Sequence, residues 1–152
     1  MPSTRPRPTR AFLLSLLVIA TLVVAGCAAG GSARPTLSGA WVRPSTGLSV
    51  PVAAYLVIAN PGGADDALIG ASSPVAQAVE IHDTGTMNGM TGMTPMDRVP
   101  LAPGSTVTMA PGGMHLMLVG LTRALAVGET VELDLMFEHA GSLSVQAAVR
   151  DH

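Results

Sequence analysis

The chain has 152 residues with a formal net charge of −2, and only 3% of its residues are aromatic. Its eight basic residues are all arginine, and ten acidic residues oppose them. This balance argues against a nucleic-acid partner, which would require a basic face. The single cysteine excludes an intramolecular disulfide and a Cys-x-x-Cys redox motif.

The first 26 residues have the pattern of a secretory signal. Three arginines precede an apolar run over 11–25, which is too short for a comfortable transmembrane helix. The run ends in Val-Ala-Gly-Cys at Cys27 and resembles the lipobox of bacterial lipoproteins. We expect a signal peptide over 1–26, a lipidated Cys27 that anchors the protein outside the cytoplasmic membrane, and a flexible tether over 27–36. A plain signal peptide or a membrane anchor with an incidental cysteine is the alternative.

Residues 37–152 are predicted to form one all-β domain, either a sandwich or a barrel. Short apolar runs are separated by Pro-Gly and Gly-Gly turns, and no helix of ten residues is predicted after the signal. Apolar and polar side chains alternate over 130–137 with the period of two that is typical of a strand with one buried face. The predicted strands are 40–42, 52–58, 67–70, 75–82, 105–109, 115–119, 130–137 and 143–149.

The segment after the predicted strand 75–82 carries methionine at every third position. His82 ends this strand, and a Gly- and Thr-rich loop is expected to follow with four methionines, Met87, Met90, Met93 and Met96. Its glycines make a helix costly. Flexible apolar side chains on a loop have no core to fill and need another explanation. Cu(I) supplies one, because this soft ion takes thioether and imidazole ligands.

A second group of candidate ligands lies on the predicted strand 115–119. His115 and Met117 are two residues apart and therefore point to the same face, about 7 Å apart, while Leu116 points the other way. A lone histidine or methionine is usually structural or packing. We assign that ordinary role to four further residues, Met109, Met136, His139 and His152. The residue types thus favour His82, His115 and Met117 with a methionine from the loop.

The spacing of the candidate ligands resembles the signature of the periplasmic copper chaperone PCu(A)C family. Ten, twenty-one and one residues separate His82, Met93, His115 and Met117. Segments over 40–44, 53–56, 79–82, 111–118 and 128–131 also look like family segments. The resemblance implies a cupredoxin-like Greek-key β-sandwich/barrel that holds Cu(I) with these four residues, with Cu(II) left open.

The resemblance also implies a role and partners. In the family, copper passes to the CuA site of cytochrome c oxidase subunit II, directly or alongside Sco-type proteins, and the chaperone has no catalysis of its own. This chain departs from the family in having Thr84 where relatives often carry methionine. Its additional methionines Met87, Met90 and Met96 are therefore an alternative ligand set or a capture loop for incoming copper.

Two other functions stay open: copper sequestration or tolerance in the envelope, and a structural sandwich lipoprotein that binds no metal. A blue-copper electron carrier is excluded, since that site requires a cysteine thiolate and Cys27 lies at the anchor. A serine hydrolase lacks support because no Gly-x-Ser-x-Gly elbow is present.

Overall fold

The computed structural model describes residues 31–87 and 89–151 of the chain. These residues contain ten β-strands and no helix, and thus no helix long and apolar enough to cross a bilayer. The strands are β1 (Thr36–Val42), β2 (Val52–Ala59), β3 (Asp66–Ser72), β4 (Ala76–Met87), β5 (Met90–Pro95), β6 (Val99–Leu101), β7 (Thr106–Thr108), β8 (His115–Leu121), β9 (Thr130–Phe137) and β10 (Gly141–Val149).

The strands form one sheet in the order β5-β4-β8-β2-β1-β10-β9-β3-β6, and β7 pairs with β2. β3 also pairs with β4, through Ala71 and Val79, so the sheet closes on itself as a barrel. β1 and β10 are parallel, whereas the other pairs are antiparallel. The all-β sandwich/barrel predicted from the sequence is confirmed.

The core lies inside this closed sheet and is built by strand alternation. β9 has the bounds predicted from its alternating pattern, and its odd-numbered residues from Val131 to Phe137 are buried. Leu116 and Leu118 of β8 and Ile81 of β4 point into the same core. Burying each such side chain contributes about 1.5–3 kcal/mol. Because these residues face inward, the residues between them face the outside of the barrel.

Asp66 is a buried carboxylate that fixes one turn of the barrel. Its side chain accepts hydrogen bonds from the backbone N–H groups of Ala67, His139 and Ala140, at 2.8, 2.9 and 3.0 Å. Burial alone would raise the pKa of Asp66. These hydrogen bonds and the charge of His139 outweigh burial, so the pKa of Asp66 lies below its ordinary value.

The predicted signal peptide over 1–26 and Cys27 lie outside the described residues and stay predictions. The predicted tether is described only from residue 31 onward. Here Arg34 donates its backbone N–H to the Oδ1 atom of Asn60 at 3.1 Å, and β1 begins at Thr36.

The methionine-bearing segment is a β-hairpin, so its interpretation as a loop was wrong. β4 continues past His82 to Met87, and β5 returns antiparallel to it. Met87 pairs with Met90, and Gly89 lies in a turn just before β5 with a φ of 78° that glycine adopts readily. All six residues of β5 are exposed. No buried face marks this strand in the sequence, which is why hydrophobic periodicity did not predict it.

Candidate metal centre

His82 and His115 face each other on neighbouring strands. They form a directly opposed pair in the antiparallel register of β4 and β8. Ile81 and Leu116 point into the core, so both histidines point to the outer face of the barrel. Their ring centroids are 5.8 Å apart at 68°. One metal ion with imidazole bonds of about 2 Å can bridge rings at this separation.

Met117 joins the two histidines on this outer face. It follows His115 by two residues on β8, as predicted, and lies opposite Glu80. Glu80 in turn precedes His82 by two residues on β4. Met117 is half-buried. Strand alternation and the register of β4 and β8 therefore place one thioether and two imidazoles on the same face.

Met93 reaches the same face from β5. It lies opposite Thr84, which follows His82 by two residues and shares its face. The next pair on this face is Thr86 and Thr91, whose hydroxyl oxygens are 3.4 Å apart. Met93 is 58% exposed, whereas His115 is only 4% exposed. The four predicted ligands thus share one face, and Met93 is the one most open to solvent.

The other methionines of the segment differ in position. Met90 is three residues before Met93 on an extended strand, so it lies on the opposite face of the hairpin, where it is 73% exposed. Met87 pairs with it through the backbone, but the Met87 side chain is not described. Met96 follows β5, donates its backbone N–H to the carbonyl of Ile81, and packs partly buried against the core. The expectation that all four methionines are loop residues without a core to fill is therefore wrong for Met96.

Each histidine has one ring nitrogen held by a protein oxygen. The Nδ1 atom of His115 lies 2.9 Å from the carbonyl oxygen of Gly113, and the Nε2 atom of His82 lies 2.8 Å from Oε2 of Glu80. Within the described part of the chain, the Nδ1 atom of His82 is the buried side-chain polar atom that has no hydrogen-bond partner. Buried polar atoms are normally paired, so this nitrogen is suited to a ligand.

A metal ion on this face would take sulfur ligands as well as nitrogen ligands. Nowhere in residues 31–87 and 89–151 do three or more His, Cys, Asp or Glu side chains come together to hold an ion. Two imidazoles and the thioethers of Met93 and Met117 are all neutral when they bind. Such a donor set suits a soft ion and is unsuited to Ca²⁺ or Mg²⁺, which require oxygen.

Two aromatic residues that the sequence analysis did not place at the site extend it across the sheet. Tyr55 of β2 lies next to His115 with 6.3 Å between ring centroids, and Trp41 of β1 lies 4.5 Å from Tyr55. Arg150 stacks over Trp41 at 4.9 Å. Strand alternation could have identified them in the sequence. Ala54 and Val42 beside them are core residues, so Tyr55 and Trp41 point to the outer face. This row supports His115 from the side opposite His82.

A closed β-barrel with imidazole and thioether donors on one outer face defines a cupredoxin-like domain with a candidate site for a soft metal. The profile of the family described as "Putative lipoprotein LpqE-like" matches residues 36–149, and the chain belongs to this family. A relative named "Putative lipoprotein Lxx21020", from Leifsonia xyli subsp. xyli (strain CTCB07), is 31% identical over 118 residues, which cover 76% of this chain and 69% of the relative.

Solved structures agree with this assignment. The structure titled "Copper-bound PCuAC domain from PmoF2" is 30% identical with a TM-score of 0.66, and the match covers 78% of this chain and 94% of that domain. "Solution structure of CuI-DR1885 from Deinococcus Radiodurans" is also 30% identical, with a TM-score of 0.54 and coverage of 80% and 83%. The resemblance to the PCu(A)C family and the cupredoxin-like fold are confirmed.

Proposed function

We propose that this protein is a lipid-anchored Cu(I) chaperone of the cell envelope that binds copper with His82, Met93, His115 and Met117. The observation that carries the proposal is the placement of these four nitrogen and sulfur donors on one face of three adjacent strands. The copper-bound and Cu(I)-bound relatives support copper as the ion.

The site binds copper without adding negative charge of its own. Imidazole and thioether ligands are neutral, so the ion keeps its charge, and binding is weaker than capture by thiolates. This suits a protein that must release its cargo. Cu(I) is the expected ion because two thioethers are soft ligands. Titration of the copper-free chain with Cu(II) tests whether that ion also binds.

The unequal burial of the ligands suggests how copper enters and leaves. His115 is buried and His82 is half-buried, with a side-chain exposure of 16%, whereas Met93 is mostly exposed. Met93 is therefore the ligand that an acceptor can displace first while the other three still hold the ion. Release then proceeds by stepwise ligand exchange and not by loss of a free ion.

The acceptor we propose is the CuA domain of cytochrome c oxidase subunit II, reached directly or together with a Sco-type protein. The location follows from the predicted signal peptide over 1–26 and the predicted lipid on Cys27, and the lipoprotein names of the family and of the relative support it. From residue 27 onward, five arginines face ten acidic residues, which favours attraction of cations over nucleic acid. No catalytic step is proposed.

The test combines spectroscopy with transfer. X-ray absorption of the Cu(I)-loaded chain should show mixed sulfur and nitrogen coordination, and oxygen-dominated coordination would reject the site. Incubation with a purified CuA domain should move copper to that domain at stoichiometric protein. Binding without transfer would favour the alternative of envelope copper sequestration. Unchanged Cu(I) binding by a His115→Ala, Met117→Ala variant would favour a structural lipoprotein without metal.

A further inference from the structure

Glu80 contacts one of the proposed ligands and was not among the predicted site residues. It lies on the outer face of β4, opposite Met117 and two residues before His82. Its Oε2 atom is 2.8 Å from the Nε2 atom of His82. An ionised carboxylate can only accept a hydrogen bond, so in this contact Nε2 carries the hydrogen and Nδ1 keeps its lone pair.

The other nitrogen of His82 is the buried atom without a partner. A buried polar atom left unpaired destabilises the folded state, because its contact with water is lost and nothing replaces it. This unpaired nitrogen is explained if it binds an ion on the face that also carries His115 and Met117. His115 has the opposite arrangement, because its Nδ1 atom donates to the carbonyl oxygen of Gly113 at 2.9 Å and leaves Nε2 with the lone pair.

We infer that Glu80 is a positioning residue that selects the Nε2–H tautomer of His82, so that copper binds to Nδ1 of His82 and to Nε2 of His115. This inference rests on the proposed function. A carboxylate behind a metal-binding imidazole holds the ring in place and makes the ligand more basic. Glu80 also lies opposite Met117 in the register of β4 and β8.

The contrasting interpretation is that Glu80 and His82 form an ordinary surface ion pair. The Glu80 side chain is 52% exposed, and exposed pairs contribute little to stability. The two interpretations differ in what removal of the carboxylate does. A surface pair leaves the tautomer and the copper affinity unchanged, whereas a positioning residue controls both.

The experiment uses the full chain in detergent with ¹⁵N-labelled histidine. Two-bond ¹H–¹⁵N spectra at about pH 8, above the ordinary histidine pKa of about 6.5, report the tautomer of each ring without copper. We expect Nε2–H for His82 and Nδ1–H for His115. In Glu80→Ala, His82 should become a mixture of tautomers, while Glu80→Gln, which keeps an acceptor oxygen, should retain Nε2–H.

Copper affinity is then measured by competition with a chromogenic Cu(I) chelator. Glu80→Ala should bind Cu(I) roughly 10–100-fold more weakly, the range for outer-shell partners of metal ligands. Asp83→Ala is the matched control, because Asp83 is an exposed carboxylate next to His82 but on the other face of β4. It should change the affinity by less than about twofold, as for an exposed side chain on the face away from the proposed ligands.

The outcomes separate this inference from the function it rests on. Wild-type affinity in Glu80→Ala, an Nδ1–H tautomer of His82 in the copper-free chain, or copper on Nε2 of His82 would each overturn the role of Glu80 alone. A wild-type chain that binds no Cu(I) would overturn the proposed function itself. A loss of affinity in Glu80→Ala together with a changed His82 tautomer would establish the positioning role.

Discussion

β8 and the β4–β5 hairpin carry the four proposed copper ligands on the same face, but the surroundings of these two regions differ greatly. β8 pairs with β2 on one side and β4 on the other, and its alternate residues fill the core. β5 lies at the end of the strand order and is exposed along its whole length. The barrel therefore holds His115 and Met117 between two neighbouring strands, whereas Met93 lies on an exposed end strand that pairs only with β4.

Retention and release of an ion can thus depend on separate parts of one small domain, here the packed strand β8 and the exposed β4–β5 hairpin. Ligands on a packed strand keep their geometry with or without metal, so binding costs little reorganisation. A ligand on an exposed hairpin loses conformational freedom on binding and is easily withdrawn.

The largest effect should come from removing a core contact of β8. Leu116→Ala leaves a cavity behind His115 and should lower the free energy of unfolding by about 2–5 kcal/mol. Thr94→Ala on exposed β5 should cost less than about 1 kcal/mol. Urea unfolding measures both, and equal losses would show that the hairpin is as firmly packed as the barrel.

The next effect concerns the buried carboxylate that fixes the barrel turn. Asp66→Asn should lower the free energy of unfolding by about 1–3 kcal/mol, because an amide nitrogen replaces one acceptor oxygen. The pKa of Asp66 is lowered from 3.8 in the folded state. Its contribution is therefore complete above that ordinary value and is lost as the pH falls through the folded pKa.

Unfolding at several pH values checks this sign. The wild-type chain should lose stability below about pH 4, the ordinary aspartate range, and Asp66→Asn should lose less over the same interval. Asp65→Asn, at the exposed neighbouring residue, is the control and should stay within about 0.5 kcal/mol of wild type. A steeper acid loss in Asp66→Asn would contradict the role of these hydrogen bonds.

A smaller effect should follow from moving the hairpin thioether. Met93→Leu should weaken Cu(I) binding about tenfold, or about 1.4 kcal/mol. The double variant Met93→Thr, Thr94→Met keeps a methionine on β5 but places it on the opposite face, so it should lose as much. Chelator competition measures both. Recovery of affinity in the double variant would mean that the hairpin's face does not matter.

The smallest effect should come from Met90. It lies on the face of the hairpin away from His82, so Met90→Leu should change the Cu(I) affinity by less than about twofold, as for a distant surface site. A tenfold loss would instead make Met90 part of the ligand set that the sequence left open. The rate of Cu(I) uptake by the copper-free chain, measured on the same variant, tests a separate role in capture.

Much of the barrel could be predicted from the sequence because its strands have a buried face. The alternating pattern over 130–137 predicted the bounds of β9. Leu116 lies between His115 and Met117 and was expected to point inward, which predicted that these two side chains share the other face. The hairpin could not be predicted in this way, because β5 buries nothing. The opposition of His82 and His115, and their contacts with Glu80 and Tyr55, depend on the register between strands far apart in sequence, which a single strand's pattern does not contain.

One further consequence follows from the parallel pairing of β1 with β10, in which Trp41 lies beside Ala148. This contact joins residues roughly a hundred positions apart, and such non-local pairing slows folding to milliseconds or longer. While the chain is being synthesised or threaded through a membrane, β1 emerges long before its partner and must wait with its edge unpaired. The β1–β10 pairing beside Trp41 can therefore form only after β10, the last of the ten described strands, has been synthesised.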